Sequence, residues 1–122
     1  MQRALSLIAL ALAACATVPP ASARPTAGLG QSARISDVAV RPISLIEDSR
    51  CPARVQCIWA GRVRILAQIS AHGKRATRRE MILGEPIAID QGKLMLIAAE
   101  PAKIAPGSTN PRAYRFTFRI DR

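Results

Sequence analysis

The stretch YRFTFRID, residues 114 to 121, alternates without a break. Tyr114, Phe116, Phe118 and Ile120 fall on one side, and Arg115, Thr117, Arg119 and Asp121 on the other. A period of two sends successive side chains to opposite faces, so the segment predicts a half-buried β-strand with an aromatic inner face. The same period recurs upstream. Val63, Ile65, Ala67, Ile69 and Ala71 alternate with Arg62, Arg64, Gln68 and Ser70. Leu66 breaks the polar side, which points to a strand covered on both faces. Val38, Val40 and Pro42 form a third such face, after which the apolar side moves to Ile43 and Leu45. Proline cannot donate to a ladder, so this strand is expected at an edge or interrupted by a bulge.

The segments between complete the pattern. His72-Gly73-Lys74 reads as a turn, with Gly73 free to take positive φ, and the chain returns from Arg75 to Leu83. Ile87 and Ile89 make a short strand that Asp90-Gln91-Gly92 turns. Lys93 to Ala99, dense in Leu94, Met95, Leu96 and Ile97, is expected to be central. Pro101 to Arg112 holds three prolines and Gly107 and reads as a loop. No stretch keeps a helical period. The expectation is an all-β fold: a small antiparallel β-sandwich or barrel-like domain of six to seven strands over residues 35–122.

What precedes that domain reads differently. Met1-Gln2-Arg3 is a short positive start, and Ala4 to Ala14 is an apolar run broken only by one Ser. That is the layout of an export signal over residues 1–14. The run is too short for a bilayer, which takes about 20 apolar residues. Leu12-Ala13-Ala14-Cys15 looks like a lipobox, and the apolar run ends directly against Cys15, so Cys15 is expected to be lipidated. Ala21-Ser22-Ala23 offers the alternative cut, which would leave a soluble periplasmic chain after Ala23. Residues 15–34 are then the lipidated cysteine and a flexible tether rich in Ala, Pro, Ser and Gly. Both cuts deliver the chain to an oxidising compartment. The expected place is the periplasmic side of a bacterial envelope, as an outer-membrane lipoprotein.

The net charge is +10, and only Lys74, Lys93 and Lys103 of the 18 basic residues are Lys. Positive charge invites a nucleic-acid hypothesis. Export, four aromatic residues and the scatter of the basic side chains argue against it. The partners that fit are the membrane through the N-terminal lipid, and an envelope protein or an anionic polymer.

The densest chemistry is EDSRCPARVQCIWAG, residues 47 to 61. A regular helix would hold the Cα atoms of Cys51 and Cys57 about 9 Å apart, and a disulfide needs them within about 7 Å. Export favours the disulfide, so a curled loop is expected, with Pro52 opening a turn. Asp48 or Ser49 can accept from backbone N–H groups of the loop. Arg50 can pair with Glu47 or Asp48. Trp59 is expected to fold over the disulfide into the core, and Gly61 to give the backbone room. Arg50 and Arg54 are the charged residues such a corner would leave outside, and so the candidate binding residues. Other chemistries fit poorly. Five residues between cysteines is a weak redox spacing. Two Cys and the lone His72 make three ligands where structural zinc takes four. No nucleophile-elbow motif accompanies His72. The reading names no catalytic residue, no metal and no cofactor.

Asp48-Ser49-Arg50-Cys51-Pro52, four residues, Cys57, one residue, Trp59-Ala60-Gly61 resembles a motif of small exported bacterial proteins and lipoproteins of unknown function. That resemblance implies export, a disulfide and an all-β domain, and no activity. Relatives of this kind place an acid soon after Trp-Ala-Gly, where this chain has Arg62 and Arg64. The function expected is a non-enzymatic envelope lipoprotein, a binding or structural module. The alternative is an exported protein inhibitor that presents the Cys51–Cys57 loop to a hydrolase.

Overall fold

The computed structural model describes residues 24–72, 74–103 and 109–122. The signal segment, Cys15 and Gly73 lie outside the described residues. Eight strands are described: β1 (Thr26–Ala27), β2 (Ala33–Ile35), β3 (Val38–Asp48), β4 (Val63–Ala71), β5 (Thr77–Ile82), β6 (Pro86–Ile89), β7 (Gly92–Glu100) and β8 (Arg115–Asp121). They form two antiparallel four-stranded sheets, ordered β1-β8-β7-β6 and β2-β3-β4-β5. The topology is a meander. Each strand pairs with its sequence neighbour, except where the chain crosses between sheets at β1–β2 and β5–β6, and β1 pairs with β8. At the second crossing Leu83 donates its N–H to the Val63 carbonyl in one sheet, and Gly84 to the Leu96 carbonyl in the other.

The aromatic face of β8 lies where its alternation places it. Tyr114, Phe116 and Phe118 are buried, and the Tyr114 and Phe116 rings stack with centroids 5.6 Å apart. Val63, Ile65, Ala67 and Ile69 of β4 and Leu94 and Leu96 of β7 fill the space between the sheets. β7 is internal, flanked by β6 and β8. β3 resolves the proline question. It is interrupted by register shifts between Pro42 and Ser44 and between Leu45 and Glu47, so the switch of apolar side is a bulge.

One expectation needs correction. The tether does not extend to residue 34. Pro25 accepts from the Phe118 N–H, Thr26 and Ala27 pair with Thr117 and Phe116, and Ala33 pairs with Val40. Ala27 and Ala33 are buried, so the folded unit reaches back to Pro25. These strands are two and three residues long and carry no alternation long enough to read. The strand count rises to eight for the same reason. Among the described residues the only helical piece is a three-residue 3-10 turn, Pro111–Ala113.

Candidate functional site

The β3–β4 connection holds the whole cysteine motif. Its neck prolongs the hairpin, because Ser49 donates its N–H to the Arg62 carbonyl at 2.9 Å and Cys51 to Ala60 at 3.3 Å. The Ser49 hydroxyl oxygen accepts from the Arg62 N–H at 3.0 Å. Gly61 closes the neck at φ +69°, and a Cβ there would lie 1.7 Å from the Ser49 carbonyl oxygen. Only glycine fits so close an approach. Beyond the neck, Cys51 and Cys57 are disulfide-bonded with Cα atoms 5.8 Å apart. Inside that ring Val55 donates to the Pro52 carbonyl at 3.1 Å, the turn expected at Pro52.

Asp48 and Arg50 form a latch behind this neck. Arg50 grips Asp48 with two bonds, Nε to Oδ1 at 2.8 Å and Nη2 to Oδ2 at 2.9 Å. Its remaining donors reach the carbonyls of Ala99 at 2.8 Å and Pro101 at 3.0 Å. The Tyr114 hydroxyl donates to Asp48 Oδ2 at 2.5 Å. Lys103 adds an Nζ bond to the Asp48 carbonyl, and its own carbonyl accepts from the Ala53 N–H. One carboxylate thus ties the end of β3, the exit of β7 and the entry to β8. The Arg50 guanidinium, followed by the Tyr114 hydroxyl, lowers the Asp48 carboxyl to about 2 despite burial. Burial, and then the bond to Asp48, raises Tyr114. The side chains of Arg50 and Asp48 are 18% and 6% exposed.

Arg50 is therefore spent inside the fold and is not a surface binding residue. Its bidentate match to Asp48 and the two free carbonyls beside it draw the guanidinium inward. Asp48 and Ser49 act on the neck rather than on the loop interior: Asp48 Oδ1 accepts from the Arg50 N–H at 3.4 Å. Trp59 is also not in the core. Arg50 and the Pro101–Lys103 segment occupy the space behind the loop, and the indole stands 80% exposed. Ile58 beside it is 89% exposed, Ile46 45% and Val55 41%. Arg54 is exposed and makes no ion pair among the described residues. Trp59, Cys57 and Gly61 line an open hollow of about 550 Å³ together with Glu47, Ser49 and Arg62.

Glu47 faces outward, held by Arg62 Nε at 2.9 Å and Arg64 Nη1 at 3.4 Å. The Arg62 bond is the largest cause of its lowered carboxyl. Glu47 and Asp48 point to different partners and do not cooperate. His72 is exposed at the far pole of the sandwich, beyond Ala71. The length of β4, about 27 Å at 3.3 Å per residue, separates it from the cysteines. Among the described residues no three His, Cys, Asp or Glu side chains group as metal ligands would. Tyr114 is the site residue that motif reading missed; its signal was a hydroxyl at the first inward position of the last strand. Comparison with protein-family models, with curated proteins and with solved structures found no match for the chain.

Proposed function

We propose that this chain is an exported, non-enzymatic binding module of a bacterial envelope, and that the apex of the Cys51–Cys57 loop is its contact surface. The observation that carries the reading is the exposure of Ile58 and Trp59 on a loop whose base is fixed by a disulfide and a buried ion pair. A fixed base lowers the ordering cost of binding, and exposed Trp and Arg are the side chains that dominate contact energies. The disulfide and the ion pair supply rigidity, and Trp59 together with the residues between the fixed positions supplies the surface.

The test is site-specific photo-cross-linking in the native host, with the reactive residue at Val55 or, for comparison, at His72. Adducts at Val55 that are absent at His72 are expected. Equal or absent labelling at both positions would remove the loop from its assigned role. A lipid on Cys15 belongs to this reading. Mass spectrometry of the exported protein is expected to find a mature chain that begins at an acylated Cys15, and a chain that begins at Arg24 would leave the module soluble.

The inhibitor reading has less support. Protease clefts take an extended segment through its main-chain groups. Here the Pro52–Val55 turn uses that main chain internally and curls Arg54 out of extended form. Inhibition of a trypsin-like protease that Arg54→Ala abolishes would reverse the preference.

A further inference from the structure

Ile46, Val55, Ile58 and Trp59 are the large apolar side chains exposed among the described residues, and all four lie at the pole of the β3–β4 connection. Scattered single apolar side chains are ordinary on a surface; a group confined to one pole marks a place that something covers. Within the loop itself the charge has one sign, while the exposed acids of this pole, Glu85 and Glu100, stand outside it on the β5–β6 turn and at the end of β7. From Ser49 to Arg79 the chain carries no acidic residue. The two acids just before it are already held, Glu47 by Arg62 and Arg64 and Asp48 by Arg50. Arg54 is left without an acidic partner beside the apolar group. Tryptophan settles at the boundary between hydrocarbon and water. Apolar side chains bordered by arginine bind the interface of an anionic bilayer, where phosphate complements the cation.

We infer that the Cys51–Cys57 loop is an interfacial anchor: Val55, Ile58 and Trp59 enter the head-group layer of an anionic bilayer while Arg54 meets lipid phosphate. The inference rests on the loop being the contact surface and names what it contacts. The disulfide and the Pro52–Val55 turn hold the loop in shape before contact. The chain enters the sandwich at Pro25, beside Phe118 midway along β8. Nine residues lead from Cys15 to Arg24, up to about 30 Å of chain, similar to the length of β4. A domain anchored at Cys15 can therefore turn its loop pole onto the same bilayer.

Trp59 is the only tryptophan, so its fluorescence reports on the loop. The probe is vesicles of phosphatidylcholine, alone or mixed with phosphatidylglycerol. The protein is the chain from Ala16 on, which keeps all eight paired strands and every described core residue and lacks the apolar signal run. With phosphatidylglycerol present, a blue shift of Trp59 emission and quenching by brominated acyl chains are expected. Ile58→Ser and Arg54→Glu should each weaken vesicle binding about tenfold, with circular dichroism unchanged. Lys93→Ala at the far pole should change it less than about twofold. Failure to bind, equal binding to phosphatidylcholine alone, or adsorption without a Trp59 shift each overturns the inference. So does a shift that appears without lipid as protein concentration rises, which would mean that a second copy covers the patch. If vesicles fail while Val55 still cross-links a protein in cells, the lipid partner falls and the contact surface stands. If both fail, both readings fall.

Discussion

Tyr114 and Trp59 are the two aromatic side chains of this protein that carry a polar end, and they lie on opposite sides of the same latch. Tyr114 is buried, its ring stacked on Phe116 and its hydroxyl on Asp48. Trp59 stands in the open, and its indole makes no hydrogen bond among the described residues. Size alone favours burying the indole. Arg50 occupies the inward position behind the loop, where Asp48, Ala99 and Pro101 satisfy its donors. The lesson is that burial went to the groups whose polar ends had fixed partners.

The comparison breaks most strongly at its shared centre. Asp48→Ala strands the Arg50 guanidinium and the Tyr114 hydroxyl together. We expect a loss of about 3 kcal/mol in urea unfolding, the lower end for a broken buried pair because Arg50 keeps some access to water. Cys51→Ser with Cys57→Ser should cost about 2 kcal/mol, the value for so short a closed loop, read as a lower melting temperature.

Acid probes the same latch without mutation. Asp48 is depressed to about 2 in the fold, against about 3.9 in an unfolded chain. Its contribution of about 2 kcal/mol is complete above about pH 5 and is lost as the pH falls through about 4 toward 2. Unfolding measured across that window should show the loss in the native chain, and a flatter dependence in Asp48→Asn. Tyr114→Phe keeps the stacked ring and removes one bond, for about 1 kcal/mol. Trp59→Ala should change stability by less than about 0.5 kcal/mol. An equal loss in Tyr114→Phe and Trp59→Ala would erase the contrast between the two aromatics.

The sequence was most legible where periodicity ran long. β4 and β8 could be read from alternation, β7 from its dense apolar run, and the β3 bulge from Pro42 together with the change of apolar side. β1 and β2 could not, because a strand of two or three residues has no period. For β1 the evidence is a partner far along the chain, as Ala27 finds Phe116, and for β2 it is the three-residue pairing with the start of β3. At the site, local chemistry was readable in part: the disulfide, a pairing of Arg50 with Glu47 or Asp48, and a glycine at 61 that gives the backbone room, while the choice of Asp48 and the close approach of the Ser49 carbonyl to Gly61 came only with the fold. The inward turn of Arg50 and the outward stance of Trp59 depend on Ala99, Pro101 and Tyr114, which arrive from the other sheet.

The meander has a consequence in time. Neighbouring strands can zip together in chain order, each closing a short loop at modest entropic cost. Long-range connections cannot be made that way. β1 must wait for β8, and Asp48 must wait for Tyr114. Until the last strand arrives, Ala27 lacks its cover and Arg50 and Asp48 hold each other without the tyrosine. A chain cut before Tyr114 would keep most of its ladders and lose both closures at once, so the final few residues act as the clasp of the whole module.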